Sequence, residues 1–162
     1  MAVASRMIDI LKIIAITFIP TLELRASIPF GIFIAKLPTL AVFFTAFITN
    51  VFLGMIVFML FDKFIHVLRK NKYFNRFYQK TVEKAQKKVK EKINRYGPIG
   101  LSIFIAIPLP GSGSYTGALI ANILNLNKKQ FFIANAVGVF VAALAVTLAC
   151  LTGSATLAVF LK

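Results

Sequence analysis

Two stretches decide the fold: PTLELRASIP at residues 20–29 and PLPGSGSYTG at residues 108–117. Each interrupts a long apolar segment, the first within residues 7–35 and the second within residues 96–127. Proline in a helix interior removes a hydrogen bond and clashes with the preceding turn. Paired prolines with clustered Gly and Ser therefore predict a break at mid-depth of each segment. Backbone exposed at such a depth is tolerated only where protein buries it or a watery cavity meets it. Each segment is about long enough for two half-helices, so each reads as a re-entrant helical hairpin. Two kinked full spans are the alternative.

Working outward, residues 37–61 are apolar and charge-free, with Pro38 suited to a first helical turn. Residues 130–161 form another such run, long enough to cross a bilayer by residue 152, with Gly153–Ser154 expected to break it before an apolar tail. The 162 residues are 59% hydrophobic and 15% charged, with mean hydropathy +0.83. A soluble domain would carry about 25% charged residues. The chain therefore reads as an all-α integral membrane protein, which excludes a soluble enzyme, a secreted disulfide scaffold and a nucleic-acid-binding domain. Arg6 and Lys12 precede an apolar run, yet Pro20 and Glu23 follow it where a signal peptide needs a small-residue cleavage site. Cys150 has no second cysteine and reads as a packed hydrophobe. His66 lacks the companions of a metal site, and no cofactor is expected.

The two halves echo one another. Ile19–Pro20 matches Ile107–Pro108, Gly31 with Ile34–Ala35 matches Gly117 with Ile120–Ala121, and Phe43–Phe44 matches Phe131–Phe132, at offsets of 88, 86 and 88 residues. Repeats built from broken helices recur in secondary transporters. One membrane domain is expected, with residues 1–61 as first repeat, 62–95 as linker and 96–162 as second repeat. The linker carries twelve of the nineteen Lys and Arg and three of the five acidic residues. Basic residues near span ends stay cytoplasmic, so the hairpins would enter from opposite faces as an inverted repeat in the cell membrane. Arg6, Lys12 and Lys36 would then lie outside; a fully crossing first segment is the alternative that puts the N-terminus inside.

Within the linker Phe74, Tyr78, Val82, Ala85, Val89, Ile93 and Tyr96 recur every three or four residues, and Glu83/Lys87 and Glu91/Arg95 are spaced for i,i+4 pairs. It reads as a basic amphipathic helix for an anionic leaflet. A solvated face that only sets topology is the plainer reading. No nucleic-acid module surrounds it.

Chemistry concentrates in the breaks. Glu23 is the one acidic residue between Asp9 and Asp62, and Arg25 stands two residues on, ahead of Pro29. A charge at mid-membrane costs about 2.5–3.5 kcal/mol or more, so it should face a polar cavity, find a partner or bind a proton. A salt bridge holding the broken segment is the plainer role. In the second break Pro108 and Pro110 precede Gly111, Gly113 and Gly117, which permit close approach. Ser112, Ser114, Tyr115 and Thr116 offer hydroxyls, and freed N–H groups can hold an anion. A small-residue helix contact is the alternative. No GxxxxGK[ST] loop is present, and no nearby His or Asp could activate a serine. Asn50, Asn122 and Asn135 suit interhelical hydrogen bonds, or the lining of a transport path.

The segments from Glu23 to Gly31 (ELRASIPFG) and from Pro108 to Ala118 (PLPGSGSYTGA) together resemble the small multidrug export protein family. That family resembles, more distantly, the DedA/VTT superfamily, whose members carry paired opposed re-entrant hairpins. Some of these are implicated in moving polyprenyl-phosphate carriers or phospholipids. The resemblance implies a transporter-like fold in which Glu23 and Arg25 match the acidic and basic character of the first hairpin. The second DedA hairpin typically bears arginine near its proline motif, whereas this chain has Gly111 and Ser114 in a charge-free stretch.

The leading expectation is a proton- or ion-coupled exporter of small lipophilic or cationic compounds, with substrate between the hairpins. A lipid or polyprenyl-phosphate translocase is the first alternative and a membrane scaffold recruiting a cytoplasmic partner the second. Expected partners are anionic lipids at the linker, the small-molecule or lipid substrate and a second copy of the chain, with no nucleic acid. One copy has few helices with which to seal a pathway.

Overall fold

A computed structural model describes residues 2–68, 97–107 and 112–160. Among these are six α-helices and no strand: α1 Ala2–Thr17, α2 Glu23–Pro29, α3 Thr39–Leu68, α4 Gly97–Ala106, α5 Ser114–Ile123 and α6 Lys128–Phe160. The all-helical expectation holds. Two stretches, Thr39–Phe64 in α3 and Lys128–Gly153 in α6, are long and apolar enough to cross a bilayer.

The first broken segment is a helix, a turn and a helix. α1 stops before Pro20, and its last residue, Thr17, bonds back to the Ile13 carbonyl at 2.8 Å and across to Ser27 Oγ at 2.8 Å. The turn needs left-handed backbone at Thr21 (φ 74°) and Glu23 (φ 45°), each at about 1–3 kcal/mol. A Cβ on Gly31 would strike Val42 and Ile13 side chains. Contacts of residue 17 with 27 and of 13 with 31 make α1 and α2 an antiparallel hairpin.

The expected break over residues 20–29 is corrected here: it closes at Leu22, and Pro29 lies inside a helix. Proline removes one N–H, and the ladder then widens into a π-helical turn, Phe30–Ile34, closed by the Ala35 N–H on the Phe30 carbonyl at 2.9 Å. In the second segment the helix likewise resumes early, at Ser114, where residues 108–117 were expected to be open. Pro108, Pro110 and Gly111 lie outside the described residues.

α3 presents Val42, Ala46, Asn50, Leu53 and Val57 inward at helical spacing, while Leu40, Ile48 and Phe52 face outward. Less than half of each long apolar stretch is buried within the chain (44%), so its outer face needs a non-aqueous surround. α3 and α6 run antiparallel: Phe58 stacks on Phe131 at 4.6 Å, Asn135 donates to the Val51 carbonyl at 3.2 Å and Phe47 meets Phe140 edge-on at 5.7 Å. Small residues let the backbones approach. A Cβ on Gly54 would collide with the Asn135 amide, and one on Gly138 with Ile105.

In each half the first helix, α1 or α4, packs on that half's own long helix, while the second, α2 or α5, also reaches the long helix of the other half. α5 packs on α3, where Asn122 Nδ2 reaches the Phe58 carbonyl at 3.2 Å, and α2 packs on both α3 and α6. Asn125 (φ 53°) ends α5 with the Leu126 N–H on the Ala121 carbonyl at 2.9 Å. Asn127 and Gln130 then exchange side-chain-to-backbone bonds of 2.8 and 3.0 Å, a capping box that starts α6 two residues before the expected span.

Two further expectations change. Residues 62–68, read as linker, continue α3, and residues 69–96 lie outside the described chain. Gly153–Ser154 do not interrupt α6, which runs to Phe160. A single glycine costs only about 1 kcal/mol in a helix interior, too little to stop one.

Candidate functional site

The ends of the two hairpins meet. Gly113 adopts φ 114°, a conformation open to glycine, and a Cβ there would collide with Glu23 Oε2. Its missing side chain brings the start of α5 onto the carboxylate. The Ser114 N–H approaches Oε2 at 3.4 Å and the Tyr115 N–H approaches Oε1 at 3.3 Å. A carboxylate there complements the positive end of the helix dipole and partners two N–H groups that the helix itself leaves open. From α3, Asn50 Nδ2 adds a third donor to Oε2 at 3.4 Å. Glu23 is 4% exposed, and Asn50 and Ser114 are fully buried.

Arg25 donates through Nη2 to the Ser112 carbonyl and Oγ, both at 2.9 Å. Ser112 Oγ in turn donates to the Ile107 carbonyl at the end of α4. Tyr115 closes the other side, its hydroxyl donating to the Phe18 carbonyl at 2.7 Å. The Arg25–Ser112 and Tyr115–Phe18 bonds join residues 87 and 97 positions apart in sequence.

Of the residues expected to form a site, the structure brings together Glu23, Arg25, Ser112, Gly113, Ser114 and Tyr115. Pro29 ends α2 away from the carboxylate, and Gly117 serves packing, because a Cβ there would strike Ile105. Thr116 is half-buried on the first turn of α5. The residue that sequence reasoning undervalued is Asn50. A lone amide inside a charge-free run was the available signal, but its partner lies on another segment. Asn122 and Asn135, in contrast, make the interhelical bonds expected of such residues.

Among the described residues four buried side-chain oxygens have no hydrogen-bond partner: Asn50 Oδ1, Ser114 Oγ, Asn135 Oδ1 and Thr147 Oγ1. Apart from the carboxylate, α4 and α6 form an apolar groove of about 590 Å³, lined by residues including Ile99, Ile103, Ala106, Ile133, Val137 and Val141. Ile107, whose carbonyl holds Ser112, also lines it.

The arrangement is an enclosed carboxylate with hydroxyl and amide neighbours at the junction of two helical hairpins. No curated protein and no solved structure matches the chain. The profile of the family described as "Putative small multi-drug export protein" matches residues 23–145, from the buried carboxylate through most of α6. With two helices apolar enough to cross a bilayer, that description points to a membrane protein of export. The match spans most of the sequence and every hydrogen-bond partner of the Glu23 carboxylate, and the chain belongs to this family.

Proposed function

We propose that the chain is a multi-pass cell-membrane carrier that exports small lipophilic or cationic compounds, with ion coupling at Glu23 and substrate between two opposed re-entrant hairpins. The observation that carries the reading is the buried Glu23 carboxylate at the junction of both broken segments. A charge withdrawn from water at such a place is the usual mark of an ion path in a membrane protein. Antiparallel α3 and α6, with each hairpin reaching the other half's long helix, support an inverted repeat. Arg25 sets the field near Glu23 and ties the first hairpin to Ser112; the hydroxyl-bearing start of α5 forms the facing wall. The chain performs no bond-making chemistry in this reading. The basic linker gathers anionic lipid.

The test is substrate uptake by sealed vesicles carrying an imposed ion gradient. Glu23→Gln abolishes gradient-driven uptake while protein level and insertion stay unchanged. Full gradient-dependent uptake by that variant would refute the role given to Glu23.

The apolar groove between α4 and α6 favours one second reading, a lipid translocase. An acyl or prenyl chain would lie along Ile99, Ile103 and Val137, with its headgroup near Arg25 and Ser112. Flipping of a fluorescent lipid by purified protein without any ion gradient, read by dithionite quenching, would select it over the carrier.

A further inference from the structure

We propose that Glu23, Asn50 and Ser114 form a binding site for one dehydrated sodium ion. The proposal deepens the carrier reading by naming its coupling ion, but the site is testable in a resting protein. The hydrogen bonding around the carboxylate is incomplete. Its three donors stand at 3.3–3.4 Å, whereas hydrogen bonds to a charged group are ordinarily about 2.7–2.9 Å. Beside them Asn50 Oδ1 and Ser114 Oγ are buried without a partner. Arg25 spends its Nη2 on Ser112. Oxygens this poorly satisfied are costly to bury.

The surroundings select the partner. A proton satisfies one acceptor, while a hard metal cation takes several oxygens at once. Carboxylate, amide and hydroxyl oxygens within one junction are such a set. Among the described residues no group of three His, Cys, Asp or Glu is present, so a single carboxylate supplies one negative charge and suits a monovalent ion. Exposures of 4% at Glu23 and 0% at Asn50 and Ser114 exclude a bulky organic cation. A half-turn of the Asn50 amide exchanges Nδ2 for Oδ1, converting a donor to the carboxylate into a ligand for the ion.

The experiment is binding of radioactive sodium to the purified full-length chain in lipid nanodiscs near neutral pH, without substrate. The wild type binds saturably, one ion per chain. Glu23→Gln abolishes binding, and Asn50→Ala and Ser114→Ala weaken it about tenfold or more. Asn50→Asp, which preserves shape and adds charge, tightens it, so a folding defect in the alanine variants does not decide the outcome. Ser102→Ala, whose hydroxyl bonds within α4, leaves binding unchanged. Absence of saturable sodium binding in the wild type, with uptake of one proton that Glu23→Gln removes, overturns the proposal while the carrier reading stands. Sodium binding that persists in Glu23→Gln overturns it as well. Sodium binding at these residues in a protein that transports nothing supports the site and refutes the carrier.

Discussion

Gly113 sets how closely the two hairpins approach, because both its backbone angle and its missing Cβ are needed at once. At φ 114° an alanine is strained, and its methyl would overlap the Glu23 carboxylate. Gly113→Ala is expected to cost about 2 kcal/mol or more, read as a lower melting temperature in detergent. Gly153, where a Cβ meets nothing within 4 Å, should accept alanine with no loss. Glu23, Arg25 and the Gly/Ser loop stood out in the sequence because polar residues are conspicuous among apolar ones. The clasp itself was not legible. That Arg25 bonds Ser112 and that Tyr115 bonds Phe18 depends on packing between segments some ninety residues apart.

Helices α2 and α6 show where local signals compete. Pro20 and Pro29 look alike in sequence, yet one sits in a turn and the other ends a helical run that continues as a π turn. Burial of Ser27, Ile28 and Gly31 against α1 and α3 outweighs the single hydrogen bond that Pro29 removes. The opposite error lay at α6, whose capping box Asn127-Lys-Lys-Gln130 was readable but overshadowed by the apolar run after it. Asn127→Ala is expected to destabilise by about 1 kcal/mol, measured by thermal unfolding, and Asn127→Ser to restore most of it. The long spans were the most legible elements, since charge-free length alone marks them. Their ends were less so: α3 absorbs Asp62 and Lys63 because a helix leaving the apolar layer has no reason to stop at the first charge.

Across the molecule, α3 and α6 form the antiparallel seam on which both hairpins are mounted. In a Cys150→Ser background, cysteines replacing Phe58 and Phe131 should be joined by a short bismaleimide, while cysteines replacing Phe43 and Phe131 should not. Mobility on denaturing gels reads the result, and equal cross-linking of both pairs would contradict the antiparallel register. Labelling by membrane-impermeant thiol reagents from each side tests the hairpins as re-entrant elements: cysteines at Thr21 and Thr116 should react from opposite faces. Reaction from one face alone would contradict the inverted arrangement.

The crossing of α2 and α5 to the other half's long helix has a consequence for covalent continuity. Since α5 rests on α3 and α2 on α6, each fragment of a chain severed between residues 69 and 96 carries what the other needs for its own completion. Two separately synthesised polypeptides should therefore find one another in the bilayer and co-purify, and should cease to do so once arginine 25 and glycine 113 are both replaced.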